Sequence, residues 1–169
     1  NLVDPRIKLV TDGKRLGLAS RLNQGLLISK AKIIARMDAD DISFPNRLST
    51  QYKYLIENPS VDLIGSQILY FKKHTPLGIT NSKISKNLFF NLLNGINIPH
   101  PTWMVKKNWF LKNMYFLPEF NLAEDQELLI RSYKNSNFLC LNEVLLAYRV
   151  YPNNLYKKIK KRIALMKVQ

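Results

Sequence analysis

Three carboxylates stand close together directly after an apolar run. Ile33 and Ile34 lead into Asp38, Asp40 and Asp41, a pattern that predicts a buried strand ending in an acidic turn. Residues i and i+2 at the end of a strand point to the same side, so Asp38 and Asp40 can face one object together. Two close carboxylates repel each other unless a cation neutralises them. Mg2+ or Mn2+ is the simplest occupant, because such ions accept one or two protein carboxylates while phosphates and water fill the other positions.

Other interpretations of this acidic segment stay open. A solvated acidic turn needs no ion at all. An EF-hand loop beginning at Asp38 would need Gly at its sixth position and Glu at its twelfth, where this chain has Ser43 and Ser49, so a calcium loop of that type is excluded. A phosphatase of the haloacid dehalogenase type also carries Asp-x-Asp after an apolar strand and would use Asp38 as a nucleophile. Ile42 replaces the small hydroxylated residue usual in such phosphatases.

A second pair of acids, Glu124 and Asp125, stands where a helix is predicted to begin and to continue to about Asn135. Acids in a first helical turn complement the helix dipole, and that is their structural interpretation. His100 lies in a predicted turn before Pro101, where a structural hydrogen-bonding role is more typical than a ligand or base.

Two tryptophans follow this turn. We predict that Trp103 and Trp109 are core residues, with stacking of one of them on a sugar ring as the alternative.

The elements that must position these acids follow from hydrophobic periodicity and turn residues. The predicted elements are strands at Ile7–Val10, Lys32–Met37, Asp62–Phe71 and Phe138–Val150, the last broken at Asn142–Glu143, and helices at Leu18–Lys30, Asn46–Glu57, Ile84–Leu93 and Asp125–Asn135, with 72–83 irregular. The first strand, helix and second strand predict a right-handed βαβ unit of a parallel sheet. Ligands of open α/β sheets lie at the carboxyl ends of strands, where the acidic turn falls.

The helix at Asn46–Glu57 follows the acidic turn directly. Its apolar pattern predicts that Leu48, Tyr52 and Leu55 face the sheet. We expect Arg47 and Gln51 to support the acidic turn from this helix.

Bulk composition narrows the class of protein. The chain has 169 residues, of which 46% are hydrophobic, enough for a single globular domain with a core. No apolar run approaches the ~20 residues of a membrane-spanning helix. The single cysteine, Cys140, excludes a disulfide within the chain and is typical of a reducing, cytoplasmic compartment. The net charge of +14 indicates an anionic partner: nucleic acid, a membrane surface or a phosphorylated substrate.

Beyond these local patterns, an ordered set of motifs resembles family 2 glycosyltransferases. The residues that carry the likeness are, in order, Ala35-Arg36-Met37-Asp38-Ala39-Asp40-Asp41-Ile42-Ser43-x-Pro45-x-Arg47-Leu48-x-x-Gln51, His100-Pro101-Thr102, Glu124-Asp125-x-Glu127-Leu128-x-x-Arg131 and Leu145-Leu146-Ala147-Tyr148-Arg149. The resemblance covers nearly the whole chain to about residue 150. It implies a partial GT-A domain over 1–150, with a Rossmann-like, mostly parallel sheet flanked by helices.

The resemblance also implies an activity and assigns roles. The expected reaction is inverting transfer of a sugar from a nucleotide-diphosphate sugar to a hydroxyl acceptor, such as a lipid-linked glycan in bacterial surface polysaccharide or lipopolysaccharide synthesis. Asp38 and Asp40 would hold the Mg2+ or Mn2+ ion and the nucleotide. Asp125 would be the base that takes the acceptor proton, and Glu124 would bind the acceptor beside it.

Three further residues match family segments near the donor. Arg21 and Asn23 fall in the family's Asn-x-Gly stretch close to the nucleotide, although Arg15 replaces its first Asn. Arg149 would meet a phosphate, with a structural salt bridge as the alternative. Tyr151 replaces the His that ends the family's Tyr-Arg-x-His.

The resemblance does not include the first elements of the family's domain. Family members start with a strand, a nucleobase-binding turn and a helix that have no counterpart before residue 7. Either the fold has lost this first unit or the sequence is a fragment of a longer protein. We expect the fragment, with little or no transferase activity by itself.

The segment 151–169 is a basic amphipathic tail. Leu155, Ile159, Ile163 and Met166 fall on one predicted helical face and lysines cover the other. The tail would dock on an anionic membrane surface, at the inner face of the plasma membrane, or pack on its own domain. A non-catalytic nucleic-acid-binding domain would also explain the positive charge. It leaves the acids unexplained, because Asp38, Asp40 and Asp41 would repel phosphates.

Overall fold

The computed structural model describes residues 4–84, 91, 94–115 and 123–151. The helices are α1 (Leu18–Ile28), α2 (Arg47–Glu57), α3 (Lys107–Asn113) and α4 (Glu124–Ser132), with short 3-10 turns at His100–Thr102 and Tyr133–Asn135. The strands are β1 (Ile33–Ala35), β2 (Ile42–Ser43), β3 (Leu63–Lys72), β4 (Thr75–Ile79), β5 (Met104–Lys106) and β6 (Phe138–Arg149).

The described strands form one sheet flanked by helices. Its order is β1-β5-β3-β6-β2, with β4 paired to β3. The α/β class is therefore confirmed, but a mostly parallel arrangement is not: β3 and β6 run parallel, and the other four pairings are antiparallel. One cause is the tight reversal at Lys73, where a φ of 55° turns β3 back into β4, and strands joined by a tight turn are antiparallel neighbours.

Residues 7–10 do not form the predicted first strand. They have no strand assignment, and Ile7 and Leu9 are 64% and 88% exposed. A short apolar run becomes a strand only where a neighbour takes its backbone hydrogen bonds, and no described strand pairs with this one. The predicted βαβ unit is therefore reduced to α1 and β1 among the described residues.

Two predictions about strand interruptions need correction. Part of the segment 72–83, expected to be irregular, forms β4, a fully exposed edge strand that tolerates Pro76. The break expected at Asn142–Glu143 is a register shift inside one continuous strand: Leu141 pairs with Ser66 and Val144 with Gln67, so the two residues between Leu141 and Val144 have no partner on β3.

Helix α2 matches its predicted bounds but presents a different face to the interior. Leu55 is buried as expected, whereas Leu48 and Tyr52 are 54% and 53% exposed. Arg47 and Gln51 are instead buried at 1% and 0% exposure. The prediction was wrong because it ranked residues by hydrophobicity, while backbone carbonyls from elsewhere in the fold satisfy these two polar side chains.

The main core lies between the sheet and the helices α1, α3 and α4. Its largest fully buried side chains include Trp103, Leu63 and Leu128. Trp103 and Trp109 are 1% and 7% exposed, so their predicted place in the core is confirmed. The helix predicted at Ile84–Leu93 and the tail lie mostly or wholly outside the described residues. Among the helices that the structure describes, none is long and apolar enough to cross a bilayer.

Candidate active site

Three segments that are distant in the sequence meet at one cavity of about 880 Å3. Asp38 comes from the turn after β1, His100 from the 3-10 turn before β5, and Glu124 and Asp125 from the first turn of α4. Asp38 and the second predicted pair, Glu124 and Asp125, thus share one concave surface, which is the usual form of a ligand site, whereas Asp40 is not among the residues that line it.

The acidic turn is a compact unit that joins the sheet to the cavity. The backbone N–H of Asp41 donates to the carbonyl of Asp38 at 3.3 Å. Asp40 is exposed, Asp38 lies at the cavity with its side chain 32% exposed, and Asp41 is 7% exposed. The three carboxylates therefore have different surroundings, and only Asp38 and Asp40 face solvent.

Asp41 attaches this turn to the end of β6. Its Oδ1 accepts the backbone N–H of Arg149 at 3.0 Å, and its buried Oδ2 has no hydrogen-bond partner within the described part of the chain. Burial raises the pKa of the Asp41 carboxyl, the charges of Asp38 and Asp40 raise it further, and the bond from Arg149 opposes them. Asp41 is therefore a structural member of the turn.

Arg36 is buried directly behind Asp38. Its Nη2 donates to Oδ1 of Asp38 at 2.7 Å, whereas Nε and Nη1 have no partner among the described residues. A second buried guanidinium, that of Arg47, lies close by, and its pKa is lowered by burial and then by the charge of Arg36. The Asp38 carboxylate consequently serves as counter-ion to a buried cation.

Arg47 and Gln51 support the turn through the backbone rather than through its carboxylates. Nη2 of Arg47 donates to the Arg36 carbonyl at 2.5 Å, and its Nε donates to Oε1 of Gln51 at 3.1 Å. Nε2 of Gln51 donates to the Thr102 carbonyl at 2.8 Å. This series of hydrogen bonds from α2 thus fixes both the end of the strand before Asp38 and the turn that carries His100.

Arg149 lies beside the acidic turn, at the end of β6. Its Nε donates to the carbonyl of Asp40 at 2.9 Å, and its guanidinium stands over the ring of Phe71 at 4.6 Å. Tyr151 reaches the same turn, because its hydroxyl makes a hydrogen bond with the carboxylate of Asp40. Tyrosine at this position therefore keeps a polar contact with the acidic turn.

His100 belongs to a buried polar cluster in the cavity wall. Its Nε2 lies 2.6 Å from the hydroxyl of Tyr115, its Nδ1 lies 3.9 Å from Oε1 of Glu124, and its ring packs on Trp103. Burial raises the pKa of Tyr115 well above its ordinary value, so this phenol stays protonated. Sequence analysis missed Tyr115, since no motif marks it; only the fold brings it to His100.

Arg21 and Asn23 are not among the residues that line the cavity. Arg21 pairs with Asp12 at 2.5 Å, and this bond lowers the pKa of Asp12 to about 2. The side-chain amide of Asn23 donates to the carbonyl of Tyr115 at 2.9 Å and accepts its N–H at 3.0 Å. Asn23 thus holds the segment that carries Tyr115, and contacts of Arg21 and Asn23 with a nucleotide stay predictions.

The carboxylates of the acidic turn suit a hard divalent cation that takes only part of its ligands from the protein. In the part of the chain that the structure describes, no three His, Cys, Asp or Glu side chains converge as a metal cluster. Asp38 and Asp40 offer two carboxylates, the number that Mg2+ commonly takes from a protein when phosphates supply further oxygens. The residues present therefore fit an ion that binds together with a diphosphate.

Solved structures share this fold. The enzyme TarS of S. aureus in complex with UDP-GlcNAc matches with a TM-score of 0.63 at 16% identity, covering 87% of this chain and 43% of that one. Glucosyl-3-phosphoglycerate synthase of Mycobacterium tuberculosis, in complex with Mn2+, UDP-glucose and phosphoglyceric acid, matches with a TM-score of 0.63 at 17% identity, covering 91% and 55%. Both are glycosyltransferases of the GT-A fold, and the GT-A expectation is confirmed.

Curated relatives agree with the fold. A glycosyltransferase of Methanocaldococcus jannaschii is 32% identical in an alignment 169 positions long, gaps included, that covers 94% of this chain and 56% of that protein. The O-antigen biosynthesis glycosyltransferase WbnJ of Escherichia coli is 33% identical in an alignment 167 positions long that covers 92% of this chain and 61% of that protein. The chain thus spans little more than half the length of these relatives. The sequence model of glycosyl transferase family 2 matches residues 2–114, and the chain belongs to that family.

Proposed function

We propose that this chain carries the catalytic site of an inverting transferase that moves a sugar from a nucleotide-diphosphate sugar to a hydroxyl acceptor. The observation that supports the proposal is that Asp38 and Asp125 line the same cavity, although they are 87 residues apart in the sequence. One end of the cavity then suits the donor diphosphate, and the other provides a base for the acceptor.

At the donor end, Asp38 and Asp40 would hold Mg2+ or Mn2+. The ion supplies positive charge that neutralises the diphosphate leaving group. Arg149 is held beside the turn by its bond to the Asp40 carbonyl, where its remaining donors can meet a phosphate oxygen. Arg36 would hold Asp38 in place at the cavity through the hydrogen bond from its Nη2 to Oδ1 of Asp38.

At the acceptor end, Asp125 takes the proton of the acceptor hydroxyl. The hydroxyl oxygen attacks the anomeric carbon, the bond from that carbon to the diphosphate oxygen breaks, and the nucleoside diphosphate leaves. Attack from the face opposite the leaving group inverts the anomeric configuration. Glu124 lies in the wall beside His100 and would bind the acceptor near this base.

Relatives support a setting in surface polysaccharide synthesis. WbnJ is named for O-antigen biosynthesis. The Escherichia coli enzyme WfgD, 26% identical in an alignment that covers 94% of this chain, is named for an acceptor that is a diphosphoundecaprenol-linked sugar. We therefore infer a lipid-linked glycan acceptor, reached from the cytoplasmic side of the membrane. The tail 151–169, which lies beyond the described residues apart from Tyr151, would dock the domain on anionic lipid.

The phosphatase and nucleic-acid alternatives lose their support. The family match accounts for the acidic turn without an aspartyl nucleophile. The acids in the cavity wall, Asp38, Glu124 and Asp125, would repel a phosphate backbone.

A calorimetric screen of nucleotide sugars tests the proposal. UDP- and GDP-sugars are titrated into the full-length protein with Mn2+ and then with EDTA. Binding of one nucleotide class that disappears with EDTA is expected. Absence of metal-dependent binding to any member of the panel would overturn the proposal.

A further inference from the structure

The cavity has an aromatic wall that is formed by two neighbouring strands. Tyr70 on β3 and Tyr148 on β6 both line the cavity. They are register partners across the parallel pair, and their rings meet edge to face with centroids 6.0 Å apart. Tyr70 is 37% exposed, so part of its surface remains available to a ligand.

On the side away from Tyr148, the neighbouring strand β4 leaves space beside the ring of Tyr70. Across the hairpin Tyr70 pairs with Gly78, and direct cross-strand partners carry their side chains on the same face. Gly78 has no side chain, and apart from Gly78 and its two chain neighbours no atom of the described residues lies within 4 Å of the position that a Cβ would occupy. A larger residue at this position would flank the ring, whereas glycine leaves room for a flat ligand.

Two exposed side-chain amides line the same cavity. Asn81 and Asn97 both line it and are exposed. The Oδ1 of Asn97 accepts a hydrogen bond from the hydroxyl of Ser82 at 3.1 Å, which leaves its NH2 group to donate. Side-chain amides donate and accept hydrogen bonds, and sugar hydroxyls do the same. An aromatic surface with amides beside it is suited to the apolar face and the hydroxyl edge of a sugar ring.

The charges of the cavity disfavour an anionic occupant at this wall. Within the described lining there are three acids, Asp38, Glu124 and Asp125, against the cations Arg36 and Lys83. Arg36 is already paired with Asp38. A desolvated carboxylate or phosphate needs close cationic partners, and Lys83 would have to supply them against the field of two further acids. A neutral ligand avoids this cost.

We propose that Tyr70, Tyr148, Asn81 and Asn97 form a subsite for a neutral saccharide, the sugar that carries the acceptor hydroxyl. The inference rests on the proposed function and deepens it by naming the residues that would hold the acceptor sugar. The sugar ring lies with its apolar face on Tyr70, and its hydroxyls bond the two amides. The tryptophans considered as sugar platforms from the sequence are buried in the core, so the tyrosine pair takes that place.

Saturation-transfer NMR on the full-length protein, with UDP and Mn2+ present, tests this subsite. The probes are the methyl β-glycosides of glucose, galactose and N-acetylglucosamine, with 3-phosphoglycerate as the anionic comparison. At least one glycoside is expected to bind more tightly than 3-phosphoglycerate. Tyr70→Ala should weaken its binding by about three- to tenfold, the usual worth of an aromatic contact, and Tyr70→Phe should retain it.

Two further variants keep this test independent of folding. Asn81→Ala changes an exposed side chain and should also weaken glycoside binding. Tyr52→Ala removes a tyrosine that is 53% exposed on α2 and is not part of the cavity lining, so it should bind like the wild type. Failure of every glycoside to bind, preference for 3-phosphoglycerate, or equal affinity in wild type, Tyr70→Ala and Asn81→Ala would overturn the subsite.

Calorimetry with UDP and Mn2+ on the same samples separates the two proposals. Metal-dependent nucleotide binding together with saccharide affinity that ignores Tyr70 and Asn81 overturns the subsite alone. Loss of metal-dependent nucleotide binding in the wild-type screen overturns the proposed function itself, and with it the acceptor assignment.

Discussion

Neutralising Asp38 is expected to destabilise the fold, because its carboxylate is the counter-ion of a buried guanidinium. Nη2 of Arg36 lies 2.7 Å from Oδ1 of Asp38, and the two side chains are 7% and 32% exposed. The other two nitrogens of Arg36 lack hydrogen-bond partners among the described residues. Arg47 adds a second buried positive charge close by. In Asp38→Asn both cations remain and one nearby negative charge is lost.

The size of the effect follows from the burial of the pair. Breaking a fully buried ion pair costs about 3–5 kcal/mol, because the remaining charge has no partner, and an exposed pair is worth about 0–1 kcal/mol. Arg36 is buried, but Asp38 is partly in water, so solvent screens the interaction. We therefore expect Asp38→Asn to lower the free energy of unfolding by about 1–3 kcal/mol.

Urea unfolding measures this difference, as a lower midpoint at an unchanged slope m. Asp40→Asn is the matched control: it alters an exposed acid of the same turn and should change the free energy of unfolding by less than about 0.5 kcal/mol. Adding Arg36→Met to Asp38→Asn should recover part of the loss, because the buried charge then disappears with its counter-ion. Equal midpoints for Asp38→Asn and Asp40→Asn would refute the reasoning.

Three further outcomes are expected. Asp125→Asn, assayed in the full-length protein, should lower turnover by ~10²–10⁴-fold with donor affinity nearly unchanged, and a loss confined to donor affinity would exclude the role of base. Burial raises the pKa of Cys140 to about 12, so iodoacetamide at pH 8 should modify this thiol far more slowly in the folded chain than in urea; equal rates would contradict its burial. The chain should sediment with phosphatidylglycerol vesicles at low salt and lose this binding when 155–169 are deleted, whereas a chain that stays in the supernatant would rule out docking by the tail.

Local signals in the sequence were sufficient for the acidic turn and for α2. The predicted helix has a start signal at Pro45 and a stop signal at Asn58-Pro59. The observed helix spans Arg47–Glu57. The place of the acids after an apolar strand is also local information. The meeting of Asp38 with Glu124 and Asp125 at one cavity depends on tertiary structure, and only the resemblance to a family linked the two pairs of acids beforehand.

Features that depend on remote partners could not be predicted. Arg47 and Gln51 were expected to support the acidic turn, but not through buried bonds to backbone carbonyls. They meet the carbonyls of Arg36 and Thr102, which lie 11 and 51 residues away in the sequence. Hydrophobic periodicity contains no information about such partners. The aromatic wall of the cavity could not be predicted either, because Tyr70 and Tyr148 become neighbours only through the parallel pairing of β3 with β6.

The central claim is that the acidic turn binds the donor nucleotide through a divalent ion. Calorimetry of Asp40→Asn with the nucleotide identified by the screen tests it most directly, with Mn2+ and then with EDTA. Glu57→Gln serves as the control, because Glu57 is an exposed acid outside the cavity lining. We expect Glu57→Gln to keep metal-dependent binding and Asp40→Asn to lose it while remaining folded. Binding by Asp40→Asn with wild-type affinity and wild-type dependence on Mn2+ would contradict the account.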